Sequence, residues 1–269
     1  MTDRFQTADF LKRRLGVAEA AARAAGLLLV AHYAALDRLA VEQKGVNDFV
    51  SNADKEAEAV ILMALQNAFP NDAVLGEETG RTGAADAPVV WCVDPLDGTS
   101  NFLKGAHNWC VSIGLWAGGA PVLGVIFDPL RGEMFTAAAG LGARCNGALM
   151  ATSTVTALDR ASFGFGYNRR IPLPDFARDT TLLLATGAGF RQLGAGALML
   201  AYVAAGRVDA YYEQFMWAWD AMAGLALIAE AGGQFVPYPA GGAALEDGGL
   251  VLAANAGLLR PIQSILTAG

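Results

Sequence analysis

The sequence contains only two histidines and three cysteines among its 269 residues. His32 and His107 are too few for a histidine-rich metal site, and they lower the expectation of a histidine-based nucleophilic triad. Cys92, Cys110 and Cys145 are odd in number and form no C-x-x-C pair, which argues against a disulfide framework and against a zinc site. A reducing compartment, the cytoplasm, fits this cysteine usage best.

Basic residues are scarce, with 19 Lys and Arg against 26 Asp and Glu, so the net charge is −7. An acidic chain is repelled by the phosphate backbone of nucleic acids, which argues against a nucleic-acid partner. Acidic residues can still serve an anionic substrate when a metal ion lies between them. Hydrophobic residues make up 54% of the chain, so a large core is available and disorder is not expected.

Several signatures are absent. Asp3 and Arg4 occupy the N-terminus where a signal peptide would have an apolar run. The most apolar stretch, 18–35, contains Glu19 and Arg23, so it predicts a packed helix and not a membrane span. The chain has no G-x-G-x-x-G, no Walker A lysine motif and no G-x-S-x-G elbow, which argues against dinucleotide binding, P-loop chemistry and a serine hydrolase.

Apolar spacing predicts one domain over 1–269, of α+β or α/β class. Residues 1–150 read as helices plus an antiparallel sheet, and residues 151–269 as alternating α and β. Helices are predicted over 8–40, 54–69, 175–186, 197–205, 221–231 and 258–266. Strands are predicted over 73–75, 89–93, 109–117, 121–128, 134–138, 143–145, 161–165, 190–193, 208–213, 234–236 and 250–253. Residues 45–52 and 81–87 read as loops, and 118–119 and 145–147 as turns.

The segment after the strand 89–93 is the strongest candidate for chemistry. Asp94 ends that strand, and Asp97 follows it after a proline. Two carboxylates this close repel each other unless a cation lies between them, and oxygen ligands suit Mg²⁺. Gly98 allows a close turn against a ligand, and residues 98–101 can begin a helix whose free N–H groups bind phosphate. The alternative is a surface turn, since Asp, Pro and Gly are ordinary turn residues.

Other acidic residues are more ambiguous when taken alone. Glu77 and Glu78 follow a short strand, and a solvated acidic turn is the simpler interpretation. Asp54 and Asp220 each lie near the start of a predicted helix, where aspartate commonly acts as an N-cap. Asp220 is also a candidate for a third metal carboxylate, which the tryptophans beside it would bury. Glu213 ends a strand and could equally lie at an exposed edge.

Together these segments resemble the inositol monophosphatase family. The resemblance rests on residues 48–54, 76–79, 94–102, 219–220 and 230–233, in matching order along nearly the whole chain. It implies the layered α-β-α-β-α sandwich that this family shares with fructose-1,6-bisphosphatase, and a homodimer. It also implies Mg²⁺-dependent, Li⁺-sensitive hydrolysis of a small phosphate monoester, with inositol 1-phosphate as the first candidate.

The resemblance implies two or three Mg²⁺ ions and a set of metal ligands. Glu77, Asp94 and the backbone carbonyl of Leu96 would hold the first ion. Asp94, Asp97 and Asp220 would hold the second. Glu77 would help to hold a third ion through water.

The resemblance also implies catalytic and substrate-binding roles. Asp54 and Thr99 would orient and deprotonate the attacking water, so the implied catalytic residues are Asp54, Glu77 and Thr99. The implied substrate-binding residues are Asp97, Gly98, Thr99, Gly194, Ala195, Gly196, Glu213 and Asp220. Glu213 resembles the family residue that binds inositol hydroxyls. Ala195 departs from the common Gly-Thr-Ala pattern and lacks a hydroxyl, and the bulky residues 214–217 could narrow or redirect the pocket.

Two other functions stay open at this stage. The same scaffold carries histidinol-phosphate phosphatases and 3′(2′),5′-bisphosphate nucleotidases. Some bacterial relatives also bind the transcription machinery, so the chain could act as a regulatory module. The complete set of carboxylates argues against a purely non-catalytic role.

Overall fold

The computed structural model describes residues 5, 7–45, 48–239 and 244–268, and every structural statement below refers to these residues. The helices are α1 (Ala8–Tyr33), α2 (Asn52–Ala68), α3 (Thr99–Leu103), α4 (Leu173–Leu184), α5 (Gly196–Ala204), α6 (Ala218–Glu230) and α7 (Leu259–Ala268). The strands are β1 (Val41–Gly45), β2 (Asp48–Ser51), β3 (Ala73–Gly76), β4 (Gly80–Thr82), β5 (Val89–Asp97), β6 (Cys110–Ala117), β7 (Ala120–Asp128), β8 (Glu133–Ala138), β9 (Gly142–Cys145), β10 (Ala148–Leu149), β11 (Ser162–Phe165), β12 (Gly189–Arg191), β13 (Ala210–Met216), β14 (Gly233–Phe235) and β15 (Gly249–Asn255).

Two large sheets form the frame of the molecule. The first has the order β10-β9-β8-β7-β6-β5-β3-β4 and is antiparallel except for the parallel pair β3–β5. The second has the order β12-β11-β13-β15-β14, with β11 parallel to both of its neighbours. Helices α1 and α2 cover one face of the first sheet, α5 and α6 lie between the sheets, and α4 and α7 cover the second. The predicted α-β-α-β-α layering is confirmed.

Helix α1 is, within the described ranges, the one helix long and apolar enough to cross a membrane by length and composition alone. Its small apolar face is instead fully buried, with Ala18, Ala22, Ala25 and Leu29 at zero exposure. These residues pack against α2 and β7. This packing agrees with the packed helix that the sequence predicts over 18–35.

Close packing of α6 against the first sheet depends on two glycines that face it. A Cβ atom on Gly124 would lie 2.1 Å from the carbonyl oxygen of Ala223, and one on Gly114 would lie 2.5 Å from Met222. Because glycine has no side chain, the backbone of α6 can approach β6 and β7 directly. This approach brings the N-terminal turn of α6, which carries Asp220, to the strand that carries Asp94.

Several predicted boundaries are wrong, and three of them change the type of element assigned. The helix predicted over 8–40 ends at Tyr33, and a 3₁₀ turn over Leu36–Arg38 and then β1 follow it. The loop predicted over 45–52 contains β2, although residues 46–47 lie outside the described ranges. The loop predicted over 81–87 begins with the short edge strand β4. Strands β1, β2 and β4 are short and lack an alternation of apolar and polar residues, so the sequence pattern gives no strand signal there even though their partners are close in sequence.

The predicted turns agree with the backbone geometry. Strands β6 and β7 form an antiparallel hairpin around Gly118 and Gly119, both of which have positive φ. Asn146 and Gly147 also have positive φ, as a tight hairpin turn between β9 and β10 requires. Helix α6 ends before Gly232, whose φ of 84° is typical of a glycine that follows a helix C-terminus.

Candidate metal and phosphate site

Strand β5 delivers two buried carboxylates to the centre of the molecule. It extends four residues beyond the predicted end at residue 93 and includes Asp94 and Asp97. Asp94 is 2% exposed and Asp97 is 7% exposed. The register with β6 shifts between them, since Asp94 pairs with Ser112 and Asp97 pairs with Cys110. The surface-turn interpretation of this segment is therefore wrong.

Asp220 joins these two carboxylates from a position far along the chain. Ligand oxygens of Asp94, Asp97 and Asp220 all lie within 4.8 Å of one another. Asp220 is the third residue of α6, and Trp217 occupies the N-cap position without a side-chain capping bond. The interpretation of Asp220 as a helix cap is therefore wrong, and its side chain is free to face the cluster.

The cluster is electrostatically strained without a counterion. Burial raises the pKa of Asp94 well above its ordinary value, and the neighbouring charges of Glu77, Asp220 and Asp97 raise it further. Burial and the charge of Asp97 likewise raise the pKa of Asp220. Burial raises the pKa of Asp97 too, although hydrogen bonds from the start of α5 oppose that shift. A cation bound among these carboxylates would relieve both the burial cost and the mutual repulsion.

Glu77 lies at the end of β3, beside the cluster. Its backbone N–H donates to the carbonyl of Val93 at 3.1 Å, which fixes the loop against β5. Its carboxyl group shares a hydrogen bond with that of Asp94, and this contact helps to raise the pKa of Asp94. The structure thus places Glu77 beside Asp94, as the resemblance implied, in a turn whose residues Glu77 and Glu78 are half-buried and not fully solvated.

Glu58 on α2 supports the Glu77 loop, and the sequence reasoning missed it. Its carboxylate is 1% exposed and accepts hydrogen bonds from the N–H of Glu78 at 3.1 Å and from the N–H and hydroxyl of Thr79. A Cβ atom on Gly76 would lie 2.2 Å from Glu58 Oε1, so only glycine fits there. Helical spacing could have pointed to Glu58, because it lies on the buried apolar face of α2, four residues after Asp54.

Asp54 and Thr99 form a direct hydrogen-bonded pair. Thr99 Oγ1 lies 3.1 Å from Asp54 Oδ1 and 3.0 Å from the carbonyl oxygen of Leu96. The other oxygen of Asp54 accepts from the backbone N–H of Ser51 at 2.8 Å and from its hydroxyl at 2.6 Å. Ser51, not Asp54, is therefore the N-cap of α2; Asp54 completes the capping box from the third helical position and still has one oxygen directed at Thr99.

Gly98 begins α3, as the sequence predicts. Its φ of 92° lies in the left-handed region, and no side chain caps the helix at this position. A Cβ atom on Gly98 would lie 2.8 Å from the carbonyl oxygen of Asn108 and 3.2 Å from Ala195. Both the turn and the crowding therefore require glycine here.

Asp97 is connected to the start of α5. Its Oδ1 accepts from the N–H of Gly196 at 3.1 Å and its Oδ2 accepts from the N–H of Leu198 at 3.2 Å. Gly194 approaches the same region with a φ of 72°. The side-chain amide of Asn101 bridges α3 to this segment by donating to the carbonyl of Leu193 at 2.7 Å. The structure thus brings the predicted residues 194–196 to the carboxylate cluster.

A cavity of about 210 Å³ opens from the cluster toward the surface. Asp97, Asp220 and Glu213 all line it. Tyr211 donates from its hydroxyl to Glu213 Oε2 at 2.6 Å. The lining also includes Met216 of the predicted segment 214–217, and residues that the sequence reasoning did not identify, namely Phe165, Gly166, Tyr167, Gln192, Met199 and Tyr211. Glu213 is thus a cavity residue, and the exposed-edge interpretation is wrong.

Most of the bulky segment 214–217 lies outside the lining of this cavity. Met216 lines it, and a Cβ atom on Gly196 would lie 2.9 Å from Met216 Cε. Trp217 and Trp219 stack on each other with ring centroids 5.0 Å apart. The guanidinium of Arg170 lies 4.6 Å from the Trp217 ring centroid. Trp217 of this segment stacks on Trp219, and Phe215 meets the Trp217 ring edge to face. Gly196 has no side chain, which leaves room for Met216 in the cavity wall.

Comparison with known proteins is consistent with this arrangement. The inositol monophosphatase family matches residues 11–267 of the chain. The Nus factor SuhB of Escherichia coli strain K12 is 39% identical over 254 residues, which cover 94% of each protein. The crystal structure of the extragenic suppressor protein suhB from Bartonella henselae has a TM-score of 0.87 and 34% identity, over 94% of this chain and 98% of that one. The inositol monophosphatase from Anabaena (Nostoc) sp. PCC 7120 has a TM-score of 0.83 and 35% identity, over 96% of both chains.

Proposed function

Because the chain belongs to the inositol monophosphatase family, we propose that it hydrolyses the phosphate monoester of a small alcohol in a Mg²⁺-dependent reaction. The observation that carries this proposal is the convergence of Asp94, Asp97 and Asp220 within 4.8 Å, with Glu77 hydrogen-bonded to Asp94. A protein that had lost catalysis would have no reason to keep such a costly buried cluster.

The donor set fits Mg²⁺. All candidate ligands are oxygens, and no histidine or cysteine side chain belongs to the described cluster. Glu77, Asp94 and the Leu96 carbonyl would hold one ion, and Asp94, Asp97 and Asp220 a second, with Glu77 contributing to a third through water. When bound, Mg²⁺ would lower the pKa of a coordinated water and neutralise charge on the phosphoryl group.

The chain's own residues account for water activation. Thr99 Oγ1 lies between Asp54 Oδ1 and the Leu96 carbonyl. In this position the hydroxyl can accept a proton from an attacking water while it donates its own proton to Asp54. Asp54 is held rigidly by Ser51, so the relay is oriented before substrate binds.

Phosphate and alcohol would occupy opposite sides of the cluster. The start of α3 at Gly98 and Thr99 would present backbone N–H groups to the phosphate, as the resemblance implies. The 210 Å³ cavity bounded by Asp97, Asp220 and Glu213 would receive the alcohol. In-line positioning and neutralisation of charge are the main requirements of phosphoryl transfer, and this layout with Mg²⁺ bound would meet both.

The family resemblance favours inositol 1-phosphate as substrate and suggests histidinol phosphate and 3′(2′),5′-bisphosphate nucleotides as alternatives. A phosphate-release panel tests the proposal, with these compounds and fructose 1,6-bisphosphate, each assayed with Mg²⁺ and with a chelator. We expect at least one compound to be hydrolysed only with Mg²⁺. Failure of every compound would contradict the proposal.

Three further properties are part of this proposal. We expect a homodimer, which light scattering tests, and inhibition by Li⁺, which a Li⁺ titration of the activity tests. We also expect a cytoplasmic location, which cell fractionation tests.

A regulatory role is the second candidate, because relatives covering 94% of the chain are named Nus factor SuhB. In this reading the chain binds the transcription machinery. A pull-down from a bacterial lysate tests it by comparing the parent protein with Asp97→Asn. Recovery of RNA polymerase components by both proteins would support a binding role independent of catalysis, and recovery by neither would contradict it.

A further inference from the structure

A second cavity lies beside the one proposed for the alcohol and has the opposite charge. Its volume is about 320 Å³, and three arginines line it in a chain of net charge −7. No Asp or Glu side chain from the described ranges belongs to its lining. We call it the arginine cavity, and it is lined by Arg131, Arg191, Leu193, Met199, Tyr202, Arg207 and Val208.

The segment 191–194 separates the two cavities. Arg191 and Leu193 line the arginine cavity, whereas Gln192 and Gly194 line the cavity that contains Asp220. Residues that alternate in this way face opposite sides of an extended segment. Met199 is the one described residue that both linings share. The arginine cavity is therefore a separate site with its own set of charged groups.

Two of the three arginines are held in place by carboxylates outside the lining. Arg131 Nη1 lies 2.7 Å from Oδ2 of the fully buried Asp128. Arg207 donates from Nη1 to Glu133 Oε2 at 2.7 Å and from Nη2 to the other oxygen of Glu133. These two ion pairs fix the guanidinium groups at the cavity, and they balance two of its three positive charges.

Arg191 carries the third charge and has no carboxylate partner within the described ranges. Its Nη1 donates to the carbonyl of Phe190 at 2.8 Å. A guanidinium group has five N–H donors, so this contact leaves four of them for solvent or a ligand. Arg191 is exposed, so its guanidinium can reach an anion without breaking an ion pair.

Tyr202 adds a neutral donor to the same cavity. Its ring lies under the guanidinium of Arg207, whose carbon is 5.0 Å from the ring centroid. No hydrogen bond from the described part of the chain occupies its hydroxyl. Burial raises the pKa of Tyr202, although the charge of Arg131 opposes the shift. The hydroxyl therefore stays protonated at neutral pH and can donate to an anion.

The rest of the lining is apolar. Met199 is 1% exposed and Val208 is 6% exposed, and Leu193 packs against the same core cluster. An inorganic ion bound by the arginines would leave these side chains uncovered. The cavity volume falls at the lower end of the range typical of small-molecule sites. An anion that carries an apolar ring would use both the charged and the apolar parts of the lining.

We infer that the arginine cavity binds a small organic oxyanion, a phosphate or phosphonate on an apolar ring. The oxyanion would contact Arg191 and the Tyr202 hydroxyl, and the ring would cover Leu193, Met199 and Val208. A cation would meet three arginines with no carboxylate in the lining, and a neutral ring would gain nothing from Arg191. This site needs neither Mg²⁺ nor turnover, so it stands or falls separately from the phosphatase proposal.

Phenylphosphonate binding, measured by calorimetry in chelator at low salt, tests the inference. Without Mg²⁺ the carboxylate cluster repels anions, so binding under these conditions reports a different site. Methylphosphonate keeps the charged head and lacks the ring, and benzyl alcohol keeps the ring and lacks the charge. We expect phenylphosphonate to bind roughly tenfold or more tightly than either control. We also expect its affinity to fall as NaCl is raised, because salt screens exposed charges.

Variants connect the binding to the cavity. Arg191→Gln should weaken phenylphosphonate binding by roughly tenfold to hundredfold, the range expected for hydrogen bonds to a charged group. Arg260→Gln makes the same change at an exposed arginine on α7 and should bind like the parent protein. Tyr202→Phe removes only the hydroxyl and should weaken binding roughly twofold to tenfold. Melting temperatures in chelator show which variants fold, and Tyr202→Phe decides the question if Arg191→Gln does not.

Three results would overturn the inference. These are no saturable binding of phenylphosphonate to the parent protein, equal binding of methylphosphonate, and parent-like affinity in both Arg191→Gln and Tyr202→Phe. Light scattering adds a further check. If the parent protein fails to bind and Arg191→Gln changes the oligomeric state, the arginines belong to a contact between two copies of the chain, which also overturns the inference.

Discussion

Asp54 and Glu58 lie one helical turn apart on α2, and each accepts hydrogen bonds from a different loop of the site. Asp54 accepts from the Thr99 hydroxyl at 3.1 Å, and Glu58 accepts from the N–H of Glu78 at 3.1 Å. Residues four apart on a helix point the same way. One face of α2 therefore sets the distance between the water-activating pair and the loop that carries Glu77.

The first prediction concerns Glu58 as a positioning residue. Glu58→Leu removes the acceptor for Glu78 and Thr79, which should destabilise the loop by about 1–3 kcal/mol. We expect weaker Mg²⁺ binding by calorimetry and a higher Mg²⁺ concentration for half-maximal activity, with kcat at saturating Mg²⁺ reduced much less. Glu58→Gln keeps one acceptor oxygen and should restore most of the affinity.

The exposed neighbour Glu56 provides the control, because it pairs with His32 at the surface and is 51% exposed. Glu56→Gln should leave Mg²⁺ affinity unchanged. A Mg²⁺ affinity in Glu58→Leu equal to that of the parent protein would show that Glu58 is a structural group only.

The second prediction concerns the Thr99 hydroxyl. Thr99→Val preserves the shape and removes the group that lies between Asp54 and Leu96. We expect kcat to fall by roughly 10²- to 10⁴-fold, the range for loss of general-base assistance, with little change in Mg²⁺ binding. Thr99→Ser retains the hydroxyl and should retain most of the activity. Equal activities of the Val and Ser variants would remove Thr99 from the proposed mechanism.

The third prediction separates activity from stability in the metal cluster. Asp94→Asn removes one of the buried charges that raise each other's pKa. In chelator we expect the variant to unfold at a higher temperature than the parent protein, because repulsion is reduced, while activity in Mg²⁺ is lost. Mg²⁺ should raise the melting temperature of the parent protein and have little effect on the variant. Equal melting temperatures of the parent protein with Mg²⁺ and with chelator would contradict a metal site here.

The fourth prediction follows from the environment of Glu213. Burial raises the pKa of Glu213 from 4.5 to about 7, and the charge of Asp97 adds to the shift while the Tyr211 hydroxyl opposes it. The folded state therefore binds this proton more tightly than the unfolded state does. Glu213 contributes stability that is complete below its unfolded pKa and is lost as pH rises through its folded pKa.

Glu213→Gln removes this dependence. The charged groups facing the position, Asp97 and Asp220, are present in both proteins, so the difference between the two isolates Glu213. In chelator we expect the variant to gain up to about 3 kcal/mol in free energy of unfolding relative to the parent protein as pH rises from about 5 to about 8. Urea titrations across this range measure the difference. A difference that does not change with pH would contradict a raised pKa.

Local sequence patterns predicted much of the fold around the site. The strand predicted over 89–93, the helix starting after Gly98 and the packed helix α2 all follow from local signals, namely an apolar run, a glycine and apolar residues at helical spacing. The family resemblance supplied the distant partner Asp220. The layered fold follows from the same resemblance together with the alternation of helices and strands.

What the sequence did not reveal depends on contacts between distant segments. Glu58 looked like one more acidic residue on a helix, because its partners Glu78 and Thr79 lie 20 or more positions away. The apolar cavity walls at Phe165 and Met199 looked like ordinary core residues. Their role depends on which of them border a cavity that two sheets and several loops create together, and no local pattern records that geometry.

Phosphate release from inositol 1-phosphate, histidinol phosphate and fructose 1,6-bisphosphate, measured with Mg²⁺ and with chelator, tests the central claim most directly. The structure predicts Mg²⁺-dependent release from at least one of them by the parent protein. It also predicts a loss of roughly hundredfold or more in Asp94→Asn, since this variant lacks a carboxylate that would contact both ions. Release that is equal in chelator, or that is unchanged in Asp94→Asn, would contradict a metal-dependent phosphatase centred on Asp94, Asp97 and Asp220.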